Sequence, residues 1–438
     1  ELDGVGASTT QQGCCAHGPP SVDDSSGKGR RHRSIHGWKV RHAVAVARDR
    51  QAVDGELRIR GRLGEATLEE GARARLVGDR GREADVVMPV EMIGWIAPQV
   101  SSEIIAPTGP VFDKDVIAHT ARVHEDADFD RVLIGYFSNA PDGFLVGAHA
   151  AAVTNRLGFL LAHRPGFVAP TVAARKLATL DQLCDGRLAV HLIAGGNDAD
   201  QAKDGDHVDK QGRYRRTEEY AQILKSTWTE TAPFDFDGEY YQIERAYASI
   251  RCVSESGIPL YGGGGSDDAV KSLAPYLDTF MLWGEPLADT EAFMQRVKDA
   301  ARGNELSFSV STRPILGKTE DEAWDRAHSI LDKIEQNMGR RKKDPQNAAS
   351  QRLLDAASKK DVYDSCLYMA LATASGAPGN STALVGTPET VAEAMAAYYD
   401  VGATTLLIRG YDPLPDAIEY GQELIPRVRE LVAERDRG

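Results

Sequence analysis

The chain of 438 residues carries a formal net charge of −14 and is 42% apolar. The acidic balance excludes a nucleic-acid phosphate backbone as the main partner, because such partners demand a basic face. No apolar run approaches the roughly 18–20 residues of a membrane span, so a soluble protein with a large core is expected.

Up to about residue 87 the chain is rich in Gly, Arg, Ser and Asp, with GPPSVDDSSGKGRRHRS at its centre. Without sustained apolar periodicity such a stretch cannot bury a core. Residues 1–87 are therefore set apart from a domain spanning 88–438. Three readings of the first part stay open: a disordered extension, a segment placed ahead of a natural start at Met88, and a basic tail with a partner of its own.

From Met88 onward short apolar runs alternate with longer amphipathic stretches, the pattern of a parallel sheet with helical crossovers. The strand candidates in chain order are EMIGWIA (91–97), RVLIGYF (131–137), RLGFLLAH (156–163), RLAVHLIAGG (187–196), IPLYGGG (258–264), DTFMLWG (278–284), LSFSVSTRPIL (306–316) and TTLLIRGY (404–411). Helices between them begin at Pro170-Thr171, at Thr319 and at Thr387-Pro388, each with a capping residue, a proline or an early acid at its start. Eight strands separated by helices is the count of a closed (β/α)8 TIM barrel, whose active site lies at the carboxyl ends of the strands. The polar and glycine residues fall at those ends: His163-Arg164, Gly195-Gly196, the run GGGG (262–265), Trp283-Gly284-Glu285, Arg313, and Arg409-Gly410-Tyr411.

Two insertions interrupt the alternation. FDFDGEYYQIERAY (234–247) reads as a hairpin turning at Asp237-Gly238. The segment 339–380, with GRRKKDPQN and ASKKDVYDS, is far longer than an ordinary connection and is a candidate mobile lid or disordered segment over the barrel mouth. The glycine run is tolerated where a turn or a ligand needs bare main chain, or in a flexible surface loop. A helix starting at Ser266 would add a dipole suited to a phosphate. The five cysteines lack the paired spacing of a zinc site or a disulfide framework, the histidines form no HExxH pattern, and no secretory signal is visible. No metal and a reducing, cytoplasmic setting are expected.

The runs AHRPGFVAPTVAARKLATLDQLCDGR (162–187), GRYRRTEEY (212–220), PLYGGGGSDDA (259–269), WGEP (283–286) and NSTALVGTPETVAE (380–393) together resemble the bacterial luciferase-like flavin monooxygenases, and within them the alkanesulfonate monooxygenase branch. The resemblance spans Met88 to about Leu431. It implies an α/β barrel with an added insertion. It also implies a chemistry in which reduced FMN from a separate NAD(P)H-dependent flavin reductase reacts with O2 to a flavin peroxide that oxygenates a small organic substrate. A homodimer or homotetramer is the assembly it implies, by analogy alone.

The resemblance places the FMN phosphate on Gly264, Gly265 and Ser266 with Tyr214, and puts His163 and Gly195 near the cofactor. For Tyr214 the alternative is packing against the sheet, and for His163 a hydrogen bond within the fold. Tyr411 matches a tyrosine that donates to the flavin peroxide or orients the substrate. Lys360 stands where the branch has a lid arginine, and lysine keeps the charge without the bidentate fork; a solvated loop residue is the alternative. The branch's early His, second-strand Cys and seventh-strand Arg fall at Val100, Ala140 and Ser311, while Arg313 replaces a His two places on. Val100, Ala140 and Trp283 are thus expected to line a substrate pocket less polar than a sulfonate site, with Trp283 alternatively a packing residue. Arg313 binds an anion or the flavin pyrimidine, or else forms a salt bridge. The expected function is oxygenation of an organosulfur compound, an alkanesulfonate or a less charged one. The alternatives are a deazaflavin-dependent oxidoreductase on the same fold, which the Arg213-Tyr214 and WGEP motifs disfavour, and a flavin-binding relative without chemistry.

Overall fold

A computed structural model describes residues 90–338, 345 and 347–437. The segment 1–87, and residues 339–344 and 346 of the anticipated lid, lie outside the described residues. The strands in chain order are β1 (Glu91–Ile96), β2 (Arg131–Ile134), β3 (Gly158–His163), β4 (Leu188–Leu192), β5 (Phe234–Asp237), β6 (Gln242–Ala246), β7 (Leu260–Gly262), β8 (Thr279–Trp283), β9 (Ser307–Leu316), β10 (Val362–Tyr363), β11 (Leu367–Tyr368), β12 (Ala383–Gly386) and β13 (Ala403–Ile408). Eight of them, β1-β2-β3-β4-β7-β8-β9-β13, pair in parallel, and β1 with β13 closes the ring. These are the eight strands expected from the sequence, and the fold is a (β/α)8 TIM barrel.

The strands are apolar on both faces because each packs inward on the barrel and outward on helices. Every residue of β3 is buried. Alternation separates the faces: Ile93, Leu133, Leu160, Ala162, Ala189, Tyr261 and Leu407 form the interior cluster, whereas Phe159, Leu161 and Val190 join the larger layer between strands and helices. The helices begin where the local chemistry dictates. Pro170 opens Pro170–Leu183, Thr319 Oγ1 accepts from Glu322 N at 3.2 Å ahead of Glu320–Met338, and Thr387 Oγ1 accepts from Thr390 N at 3.3 Å ahead of Pro388–Asp400.

At the amino ends of the strands the interior is closed by a polar network. Glu91 accepts from Arg131 Nε at 2.9 Å, from Tyr261 Oη at 2.9 Å and from Thr405 Oγ1 at 3.3 Å. Arg131 also donates to the Arg187 carbonyl at 3.0 Å.

β9 is long enough to serve two sheets. Its first half lies between β8 and β13, and Arg313–Leu316 pairs in parallel with β12, a strand that the sequence reading did not foresee. β12 is extended antiparallel by β11 and β10. Within the segment expected as a lid, residues 347–380 thus contain the helix Ala348–Lys359, capped by Asn347, the hairpin β10–β11, and the helix Ala370–Ser375. β5 and β6 form the expected hairpin. No helix among the described residues is long and apolar enough to cross a membrane.

Candidate active site

Alternation along the strands sets which side chains face the mouth at the carboxyl end. Trp95, two residues beyond the interior Ile93, and Ile193 and Met281 pack against the interior cluster. Trp283 and Arg409 continue the inward parity at the ends of β8 and β13, with Trp283 packing against the larger cluster and Arg409 lying over the Trp95 ring. Gly135 and Gly263 leave two inward positions without a side chain. A Cβ on Gly135 would stand 2.7 Å from the Trp95 ring, and one on Gly263 would stand 2.5 Å from the Met281 carbonyl. The result is an apolar, aromatic mouth with few polar groups, the composition of a small-molecule site.

The glycine corner follows β7. Ser266 caps the helix Asp267–Leu273, its Oγ accepting from Ala269 N at 3.3 Å. The Tyr214 hydroxyl, carried in by the helix Lys210–Thr229, interacts with Ser266, and a Cβ on Gly264 would come 3.4 Å from it. Burial raises the Tyr214 phenol above its ordinary pKa. Much of the bare backbone is demanded by the protein itself. A Cβ on Gly264 would collide with Ala269, and one on Gly265 would lie 2.6 Å from Ala349 N, at the start of the insertion helix. Arg352 of that helix donates to the Gly265 carbonyl at 2.8 Å and forks onto Glu285 at 2.6 and 3.1 Å. Gly263 to Ser266 nonetheless remain half-buried, and the N–H groups of Gly264 and Gly265 donate to no acceptor among the described residues.

After β4, Gly195 adopts φ +90°, where a side chain would run into Gln201. Arg213 braces this turn: Nε donates to Ala194 O at 3.0 Å, Nη1 to Val208 O at 2.6 Å, and Nη2 to Gly195 O at 3.1 Å and Asp198 Oδ1 at 2.7 Å. The Arg213-Tyr214 pair therefore divides its labour, one residue building the turn and the next reaching the corner.

Arg313 and Tyr411 come together, with the guanidinium 3.8 Å above the phenol ring. Arg313 is 1% exposed and makes five hydrogen bonds, to the carbonyls of Arg409 (2.7 Å), Gly410 (2.9 Å) and Asn380 (3.4 Å) and to both oxygens of Glu103 (3.1 Å each). All its donors are spent. Burial pushes the Glu103 carboxyl up, but the Arg313 guanidinium outweighs burial and holds it down at about 2. Of the three roles open to Arg313, binding an anion, binding the flavin pyrimidine and forming a salt bridge, the geometry realises the salt bridge. Tyr411 is buried, its phenol pushed up to about 12 by burial, and its hydroxyl makes no hydrogen bond to the described residues.

His163 has the outward parity of Phe159 and Leu161. Its Nε2 lies 2.7 Å from Tyr220 Oη, which donates its own proton to Val168 O at 3.0 Å, so the imidazole is the donor of that pair. Phe144 packs edge-on against the ring, and burial holds its pKa down at about 4. This histidine belongs to the wall between barrel and helices, facing away from the flavin position expected for it. Lys360 is exposed at the end of the insertion helix, its Nζ 5.5 Å from the Tyr363 ring. Val100 is half-buried and Ala140 exposed, in the loops after β1 and β2. Trp283 is half-buried, and a Cβ on Gly379 would lie 4.0 Å from its ring.

Three inward-facing residues to which the sequence reading gave no role, Arg409 having been placed at a strand end but no more, carry buried polar atoms without a partner among the described residues: His191 Nδ1 on β4, Ser309 Oγ on β9 and Arg409 Nε after β13. Period-two alternation within apolar strands was the available signal. Both faces of each strand are buried, so alternation alone could not say which face was inward.

A family model, luciferase-like monooxygenase, matches residues 92–405. The chain belongs to the luciferase-like monooxygenase family. Solved structures with the same fold include a riboflavin lyase (RcaE) crystallised with modified FMN and riboflavin, at 16% identity and TM-score 0.65 over 78% of this chain and 91% of that one. The EDTA monooxygenase EmoA from Chelativorans sp. BNC1 aligns at 15% identity and TM-score 0.62, over 80% of this chain and 94% of its own. An F420-dependent secondary alcohol dehydrogenase with an F420-acetone adduct aligns at 15% identity and TM-score 0.57, over 77% and 99%. At these identities the likeness is one of fold, and luciferase-like barrels of this shape serve both flavin and deazaflavin enzymes.

Proposed function

We propose that this chain is a monooxygenase that receives reduced FMN from a separate NAD(P)H-dependent flavin reductase and uses O2 to oxygenate a small organosulfur substrate, an alkanesulfonate or a less charged sulfur compound. The supporting observation is the family match across 92–405 together with a half-exposed corner of bare main chain after β7. The residues there fit a phosphate: the N–H groups of Gly264 and Gly265 have no acceptor among the described residues, and the hydroxyls of Tyr214 and Ser266 stand together beside them. Bound FMN supplies the oxygen-activating chemistry.

The protein's part is to bind, orient and exclude water. Gly264, Gly265, Ser266 and Tyr214 hold the phosphate, and Gly195 keeps the turn after β4 clear of side chains. Trp95, Ile193 and Trp283 keep water from the reacting centre, with Val100 and Ala140 at the rim. Burial keeps the Tyr411 proton in place across the neutral range, so its phenol acts as a hydrogen-bond donor. Arg313 is a positioning residue that holds Tyr411 through the stacked guanidinium. Lys360, on the insertion, adds a positive charge at the lid. The working form is a cytoplasmic homodimer or homotetramer.

The test is to combine purified protein with FMN, NADH, a flavin reductase and a panel of alkanesulfonates and organic sulfides, following O2 consumption and product. Substrate-dependent oxygen uptake with an oxygenated product is expected. Turnover with a deazaflavin alone, or flavin binding with no turnover across the panel, would overturn the reading.

A further inference from the structure

Arg409 stands apart from every other arginine described. It is the only one among the described residues that is half-buried, with its Nε sealed from solvent, yet makes neither a hydrogen bond nor an ion pair. Its position continues the inward parity of Thr405 and Leu407, and its guanidinium lies 5.0 Å from the Trp95 ring centre. The groups acting on its charge are Arg313, Glu103 and Tyr411. Glu103 has both oxygens committed to Arg313 at 3.1 Å, and Tyr411 is neutral. Two cations and one anion thus share the top of the barrel, leaving one positive charge uncompensated. Burial first and Arg313 second lower the Arg409 pKa from its ordinary value, the mark of a cation without a partner. An unpaired charge partly withdrawn from water carries a cost that an arriving group of opposite sign would relieve.

We propose that Arg409 binds an anionic group on the substrate, a carboxylate or sulfonate whose apolar body lies against Trp95 and Trp283. This inference rests on the monooxygenase reading and narrows its substrate class: of the two organosulfur classes left open, it selects the one that carries a negative charge. The position suits the task. β13 and β7 are separated round the ring by β8 and β9, so the substrate anion and the FMN phosphate would occupy different sides of one mouth. Stacking on Trp95 leaves the guanidinium edge, with its planar donor fork, free for a bidentate acceptor. Arg313, saturated beside it, supplies the contrast: one arginine is spent on the fold and the other is held in reserve.

The experiment uses the full chain with FMN and titrates 1-octanesulfonate, octanoate and the neutral octanamide, read by the fluorescence of Trp95 and Trp283. The anions are expected to bind at least about tenfold more tightly than the amide, the size of one charge-assisted hydrogen bond. Arg409→Met is expected to erase that preference while leaving octanamide and FMN affinity unchanged, and Arg409→Lys to restore part of it. Arg409→Gln, also uncharged and more nearly isosteric, serves if the methionine variant does not fold. The proposal is overturned if the wild type does not prefer the anions, if Arg409→Met keeps the preference, or if that variant loses FMN affinity instead. The titration needs no turnover, so an absence of oxygenation would sink the monooxygenase reading without deciding this one. Oxygenation of neutral sulfides alone, with anions unbound, would do the reverse.

Discussion

The two ends of the barrel are built on opposite principles. At the amino end the interior carboxylate Glu91 is met by Arg131, Tyr261 and Thr405, so its charge is fully partnered. At the carboxyl end Arg409 leaves a buried polar atom unmet, as His191 and Ser309 do within the barrel below it; two inward positions at the mouth are glycine, and its walls are aromatic. A buried polar atom without a partner costs roughly 1–3 kcal/mol, so the mouth is the destabilised end and the floor the stabilising one. The difference teaches where to look for function: the polar groups that matter are those the fold has not used. By that criterion Arg313 behaves like the floor despite its place at the top, and Arg409 carries the mouth.

Acid should stress the wall and the barrel interior alike, since burial also holds the inward-facing His191 down at about 4. His124, which donates to Thr120 O at 2.8 Å, and His163 are both buried and held neutral, with burial lowering each pKa to about 4. Their folded pKa values lie below the unfolded value near 6.5, so the unfolded state binds more protons between the two, and stability falls as pH drops through that window. Each contributes up to roughly 3 kcal/mol by linkage. Thermal melts should be flat above about pH 7 and fall steeply toward pH 4, while the Glu103–Arg313 pair, with Glu103 at about 2, survives. Melting curves that do not change down to pH 4 would remove the histidines from the account.

Breaking Arg313 should come next in size. Arg313→Met leaves the Glu103 carboxylate buried beside Arg409 and strips three carbonyls of their donor, a loss of about 3–5 kcal/mol in urea unfolding. If unfolding moves by less than a kilocalorie or so, about the size of a surface pair, then Arg313 is no brace and the contrast with Arg409 fails. Arg131→Met at the floor should cost less, roughly 2–4 kcal/mol, because that pair is about one-fifth exposed, with side-chain exposures of 18% and 23%. Flavin and substrate binding by the folded fraction should be unaltered, since the charge of Glu91 is met within the floor; weakened binding would show the two ends to be coupled.

The smallest change sharpens the corner after β7. Ser266→Ala removes a helix cap worth about 1 kcal/mol together with one phosphate donor, so a modest fall in stability should accompany a weaker FMN dissociation constant. Equal FMN affinity in the variant and the wild type would take Ser266 out of the cofactor site and leave it a cap.

The barrel was largely legible because its signals are local. Runs such as RVLIGYF and RLGFLLAH are too short for helices and largely apolar, and Pro170, Thr319 and Thr387 announce helix starts that the structure keeps. β12 escaped notice because ALVG is only four residues long and becomes a strand by pairing with the far half of β9, a partner distant in the chain. The glycine run was legible as a demand for bare backbone but not as to what makes the demand. Gly264 and Gly265 clear space for Ala269 and for the insertion helix as well as leaving N–H groups free, and that helix packs there only through tertiary contact.

Residue type and order by themselves determined the strand count, the parallel barrel and the family, because strand length, helix caps and motif order are properties of neighbours along the chain. The facing of His163 toward the helices, the saturation of Arg313 by Glu103 and the isolation of Arg409 over Trp95 were decided only in three dimensions. The physical reason is that a charge or a ring acquires its role from what shares its low-dielectric surroundings, and those neighbours come from elements distant in the chain, 57 residues away for His163 and 210 for Arg313.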